Sequence, residues 1–103
     1  HTPAGEVSFY LEYDTGTEPL ARVAAKLPGY AALADVTRIT SPLLLAAPTP
    51  TRETHLAAHL AAAATAVPVW LAPHSLLAHP GPAAPIWRPA HPGPRRRLAD
   101  LAP

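Results

Sequence analysis

Cysteine is absent from the sequence, which excludes disulfide bonds, thiolate zinc sites and cysteine nucleophiles together. A reducing interior suits such a chain, and the cytoplasm is the expected location. Methionine is absent as well, and residue 1 is His1. The sequence therefore reads as a processed piece or a fragment, truncated at its N-terminus. With five glycines and no glycine-rich loop, nothing suggests a nucleotide cradle. No apolar run is long enough to span a bilayer, and residues 1–20 lack the basic and apolar zones of a secretory signal, so no membrane partner is expected. The net charge of +1 gives no global attraction to nucleic acid. Any basic effect has to come from the local "RRR" near the end of the chain.

What is present fits one small domain, because a chain of 103 residues can bury only one modest core. In "EVSFYLEYD", residues 6–14, alternation puts Val7, Phe9, Leu11 and Tyr13 on one strand face and Ser8, Tyr10, Glu12 and Asp14 on the other. The following "TGTEP" supplies a turn, with Gly16 able to take positive φ and Thr17 placed to cap a helix starting near Glu18 and Pro19. Leu20, Val23, Ala24, Leu27, Ala31 and Ala34 recur at helical steps; Pro28 should kink that helix near Lys26, or end it there with a restart at Tyr30. "SPLLLAAP" and "VPVWLAP" read as buried strands, and "TPTRETHLAAHLAAAA" between them as a helix begun by capping threonines. Strands alternating with helices give an α/β core over residues 6–73, a small mixed or parallel sheet with crossover helices. Most of the fifteen prolines lie from Pro68 onward, so residues 74–103 form a proline-rich extension with an edge strand expected over 85–88 and a short helix over 95–101.

The chemistry concentrates in "FYLEYDTGTEPLARVAAKLPGY". Two carboxylates on one strand face, followed by a lysine on the next helix, can hold a divalent cation by hard oxygens and set an ammonium beside a phosphate. Glu12 and Asp14 are the candidate metal ligands, with Mg²⁺ the cation in view, and with Lys26 they form the candidate catalytic set. The competing reading of the same spacing is a strand carrying polar residues toward solvent.

That stretch resembles the central block of the replication-relaxation family, carried on plasmids and integrative elements, in which an apolar strand ending in E-Y-D and then G-T-E lead into a helix bearing K and Y. "SPLLLAAPTPTRETHLAAHL", "VPVWLAP", "GPAAPIWRP" and "RRRLADLA" are similar to the family's later segments in the same order. More distantly the chain is similar to nucleases of the PD-(D/E)xK group. The resemblance implies a restriction-endonuclease-like α/β core, plasmid DNA as a partner, and replication or transfer proteins around it. It also implies that Glu12 matches the acidic member of the (D/E)xK element, that Asp14 stands where lysine is usual, that Lys26 supplies the displaced ammonium, and that Glu18 caps the turn or assists the metal. The aspartate of the "PD" element would have to precede residue 6, where only "HTPAG" is present.

Two further patterns carry less. His55 and His59 share a helical face four residues apart, but Leu56 stands where a zinc protease needs its glutamate, and solvated histidines are the expected reading. Arg95, Arg96 and Arg97, with Trp87 upstream, are candidates for nucleic-acid contact, the arginines on phosphates and the indole as a stacking face. The sequence thus points to a DNA-associated protein with nuclease-like chemistry that is incomplete or inactive. The alternatives are a non-catalytic interaction module of a replication or transfer complex, and a decayed segment with no independent role.

Overall fold

The computed structural model describes residues 9–37, 41–62 and 67–101. Strand β1 spans Tyr10–Tyr13, helix α1 Leu20–Ala24, helix α2 Leu27–Thr37, strand β2 Leu43–Ala47, helix α3 Pro50–Ala62 and strand β3 Val69–Pro73. Helix α4, His74–Ala78, and strand β4, Arg88–Pro89, follow, and a short 3-10 turn occupies Leu98–Asp100. The sheet runs in the order β1-β2-β3-β4, parallel across the first three strands and antiparallel between β3 and β4. The architecture is therefore mixed α/β, with helices linking the parallel strands.

Strand β2 explains why the sheet is covered on both sides. All five of its residues are buried, and their alternation sends Leu43, Leu45 and Ala47 into one core with Val23, Leu27, Leu56 and Leu60 from the helices. Leu44 faces the other way, into a second core with Ala72, Ile86, Trp87 and Leu101. A continuous apolar run is what a strand buried on both faces requires. The C-terminal segment, despite its prolines, thus supplies Ile86, Trp87 and Leu101 to the smaller, second core.

The parallel register fixes which face of β1 looks where. Tyr10 and Glu12 lie beside Leu43 and Leu45, on the helix-covered side, while Leu11 and Tyr13 lie beside Leu44 and Ala46. The apolar Phe9, Leu11 and Tyr13 accordingly border a half-open cavity of about 650 Å³ with His74, Leu77 and Trp87, whereas the polar face turns toward α1 and α2. A strand-only reading of the alternation would place the apolar face under the helices; the register places the acids there.

Gly16 has φ of +83°, and a Cβ there would approach Pro48 Cγ to 3.1 Å, so both the backbone and the space call for glycine. Thr17 does not cap α1: its hydroxyl is paired with that of Thr15 at 2.8 Å, and the Pro19 carbonyl accepts the N–H groups of Arg22 and Val23 instead. The break around Pro28 falls after Ala24, and the chain resumes helix at Leu27 rather than at Tyr30. Proline fits there because first-turn N–H groups have no helical acceptor in any case. Thr49 does cap α3, accepting the Arg52 N–H at 3.1 Å. The helix expected over 95–101 is only the 3-10 turn, because Arg96 is held extended by two backbone bonds to Trp87, at 2.7 and 3.1 Å.

Candidate functional site

Asp14 follows directly on β1, and its N–H donates to the Ala46 carbonyl at 2.8 Å, so the strand's end is pinned to β2. This aims its carboxylate at the first turn of α3. There Arg52 Nε donates to Oδ2 at 2.7 Å and Nη2 to Oδ1 at 3.0 Å, a two-pronged pairing with a carboxylate whose side chain is only 2% exposed. Arg52 Nη2 also donates to the Glu18 carbonyl, closing the β1–α1 turn over the pair. Burial pushes the Asp14 carboxyl up. The Arg52 hydrogen bond, the Gly16 backbone N–H and the charges of Arg52 and Lys26 outweigh it, so its pKa lies below the ordinary value of 3.8.

Glu12 and Lys26 meet on the same side of the sheet. Lys26 Nζ stands 3.1 Å from Glu18 and 3.9 Å from Glu12, and its pKa is raised, first by the Glu18 hydrogen bond and then, against some desolvation, by the charges of Glu12, Glu18 and Asp14. Tyr30 completes this group. Its ring packs against Tyr10 with centroids 5.1 Å apart, and burial, followed by the charge of Glu12 and a hydrogen bond with it, raises its pKa above 10.0. An open cleft of about 430 Å³ beside these residues is lined by Glu12, Lys26, Gly29 and Tyr30, with Ala25 and Leu33 as its apolar part.

The structure thus brings Glu12, Asp14, Lys26 and Glu18 into one neighbourhood and adds Arg52. Three carboxylates face two cations, and each is engaged. Magnesium needs carboxylate oxygens with free lone pairs to offset its dehydration. Each Asp14 oxygen accepts one hydrogen bond from Arg52, so a cation placed there would compete with that guanidinium for the carboxylate.

A second ionic cluster lies one residue further along α3. Glu53, 2% exposed, receives Arg95 Nη1 at 2.9 Å and Nη2 at 2.7 Å, and Arg88 Nη1 stands 3.9 Å from it. Arg95 also donates to the Ile86 carbonyl at 2.6 Å. Arg96 is exposed and has no side-chain ion pair among the described residues, and Arg97, 62% exposed, stands 3.3 Å from Asp100. The three arginines therefore have different situations. Trp87 is no stacking platform: it is 2% exposed in the second core, and its Nε1 donates to the Pro82 carbonyl at 2.9 Å. His55 and His59 lie exposed on α3. His74 meets the edge of Tyr13 at the apolar cavity, with ring centroids 6.4 Å apart.

The residue that sequence reasoning missed is Arg52. One signal was available: a cation in the first turn of a helix opposes the helix dipole and needs a carboxylate from elsewhere. Neither a curated protein nor a solved structure matches the chain. Among the described residues, no helix is long and apolar enough to cross a membrane. The family model described as replication-relaxation matches residues 1–44, a stretch that holds Glu12, Asp14, Glu18, Lys26 and Tyr30, and this N-terminal part of the chain is similar to that family.

Proposed function

We propose that the chain is a DNA-associated module of a plasmid or integrative-element replication-relaxation system, one that binds rather than cuts. The reading is carried by one observation: the acids of the "EYD" stretch face cations of the fold itself, Asp14 in the two-pronged grip of Arg52 and Glu12 3.9 Å from the Lys26 that holds Glu18 at 3.1 Å. A cation at these acids would have to compete with charges the fold already sets against them. These tie β1 and the turn after it to α3 and to the junction between α1 and α2. The family similarity over residues 1–44 supports the replication-relaxation context, and the exposed Arg96 and Arg97 support contact with phosphates. Replication or transfer proteins are the further partners.

A second reading rests on the shared face of Glu12, Asp14 and Lys26. In it a restriction-endonuclease-like core holds Mg²⁺ through Glu12 and Asp14, with Lys26 beside the scissile phosphate, once Arg52 has released Asp14. The two readings separate in one pair of assays: anisotropy of a labelled duplex, and nicking of supercoiled plasmid with magnesium. The wild type is compared with Glu12→Ala and Asp14→Ala. Binding without nicking is the expected result. Magnesium-dependent nicking that both substitutions abolish would overturn the binding-only reading in favour of the second, and absence of DNA binding would remove both.

A further inference from the structure

Arg95, Arg96 and Arg97 are chemically identical and consecutive, yet the fold treats them differently. We infer that Glu53 sequesters Arg95 and so divides the "RRR" run into an internal anchor and a phosphate-facing pair, Arg96 and Arg97. This rests on the DNA-association reading above and specifies which residues perform it.

The geometry is that of a clamp. Glu53 projects from the first turn of α3, and both its oxygens accept hydrogen bonds from Arg95, at 2.9 and 2.7 Å. The Ile86 carbonyl accepts a third bond from the same guanidinium at 2.6 Å. A carboxylate only 2% exposed cannot remain unpaired, so Arg95 cannot swing out to a phosphate without leaving a buried charge behind. Arg88, 3.9 Å away and outside hydrogen-bond range, is no substitute for the two-pronged contact. The backbone transmits the arrangement to the next residue. Arg96 exchanges both of its hydrogen bonds with Trp87, which is itself fixed in the second core. Because side chains alternate along an extended segment, holding the half-buried Arg95 against Glu53 on one side turns Arg96 to the other. Arg97 follows at the start of the 3-10 turn, its side chain held to Asp100 by an exposed pair, which a phosphate can replace at little cost.

The test reads the number of neutralised phosphates, which is the slope of log affinity against log salt, about 0.9 per contact on duplex DNA. The probe is a fluorescein-labelled duplex of arbitrary sequence, and the protein is the full chain, with folding of each variant checked by circular dichroism. Arg96→Gln and Arg97→Gln each reduce the slope by about 0.9, whereas Arg95→Gln leaves it unchanged. Glu53→Gln releases Arg95 and steepens the slope by about 0.9, a change that a purely structural role would not produce. If Glu53→Gln or Arg95→Gln fails to fold, the double variant Glu53→Gln/Arg95→Gln, which leaves no buried carboxylate unpaired, takes its place and keeps the wild-type slope; a slope lower by about 0.9 in it would overturn the division. Equal losses at positions 95, 96 and 97 would overturn the division while leaving DNA binding intact. An unchanged slope at all three would overturn the DNA reading and the division with it.

Discussion

Replacing Asp14 by asparagine keeps the shape of the side chain and removes the charge that Arg52 grips. Hydrogen bonds to charged groups contribute about 1.5–3 kcal/mol, and breaking a fully buried ion pair costs about 3–5 kcal/mol. Here Asp14 is buried but Arg52 is 17% exposed and keeps the Glu18 carbonyl, and asparagine retains one acceptor oxygen. The expected loss is therefore nearer the lower figure, about 2 kcal/mol. Against a total of about 5–15 kcal/mol for a domain of this size, that is a large fraction. It corresponds to a fall in Tm of about 10 °C. The pH dependence carries the sharper test. The folded pKa of Asp14 lies below its ordinary value of 3.8, so its stabilisation is complete above that value and is lost as the pH falls through the folded pKa. Thermal unfolding followed by circular dichroism should show the gap between wild type and Asp14→Asn wide at neutral pH and closing in acid. Equal melting temperatures at neutral pH, or a gap that acid leaves unaltered, would refute the reasoning.

Other expectations follow from single positions. Gly16→Ala puts a side chain at φ +83° and a Cβ 3.1 Å from Pro48 Cγ, and should cost about 1–3 kcal/mol in chemical denaturation, with an unchanged midpoint as the contrary result. Leu44→Ala empties part of the second core, where Leu44 is 1% exposed, and should cost about 2–5 kcal/mol; a smaller cost would mean that the C-terminal segment packs more loosely on the sheet than described. In an ultraviolet titration, Tyr30 should ionise above the ordinary tyrosine value of 10.0 because of burial and then the Glu12 charge. Glu12→Gln should bring that transition down, and an identical titration curve would separate Tyr30 from Glu12.

The α/β class was legible because its signals are local. "SPLLLAAP" and "VPVWLAP" are apolar without interruption, and they became β2 and β3, the strands with cores on both faces. The orientation of β1 was less accessible. Its alternation separates two faces correctly but does not say which one the crossover helices cover, and that follows from register with β2. The site was partly legible: Glu12 and Asp14 share a side, with Lys26 near Glu12, as strand and helix periodicities imply. What decided their state was not local. Arg52 reaches Asp14 across 38 residues of sequence and Arg95 reaches Glu53 across 42, and no pattern within a single element encodes such pairings. The "RRR" run shows the same limit, since adjacent identical side chains become an internal anchor and two surface charges only when a buried carboxylate is brought to one of them.

Arg52 and Glu53 are neighbours on one turn of α3, one fastened to the loop after β1, the other to the chain's closing stretch. A fragment stopping at the end of that helix would expose a carboxylate built for concealment, and in the complementary fragment the Arg95 guanidinium would keep the Ile86 carbonyl but lose its counter-charge. Neither half is a self-sufficient folding unit, so heat or denaturant should dismantle beginning, middle and end in a single step.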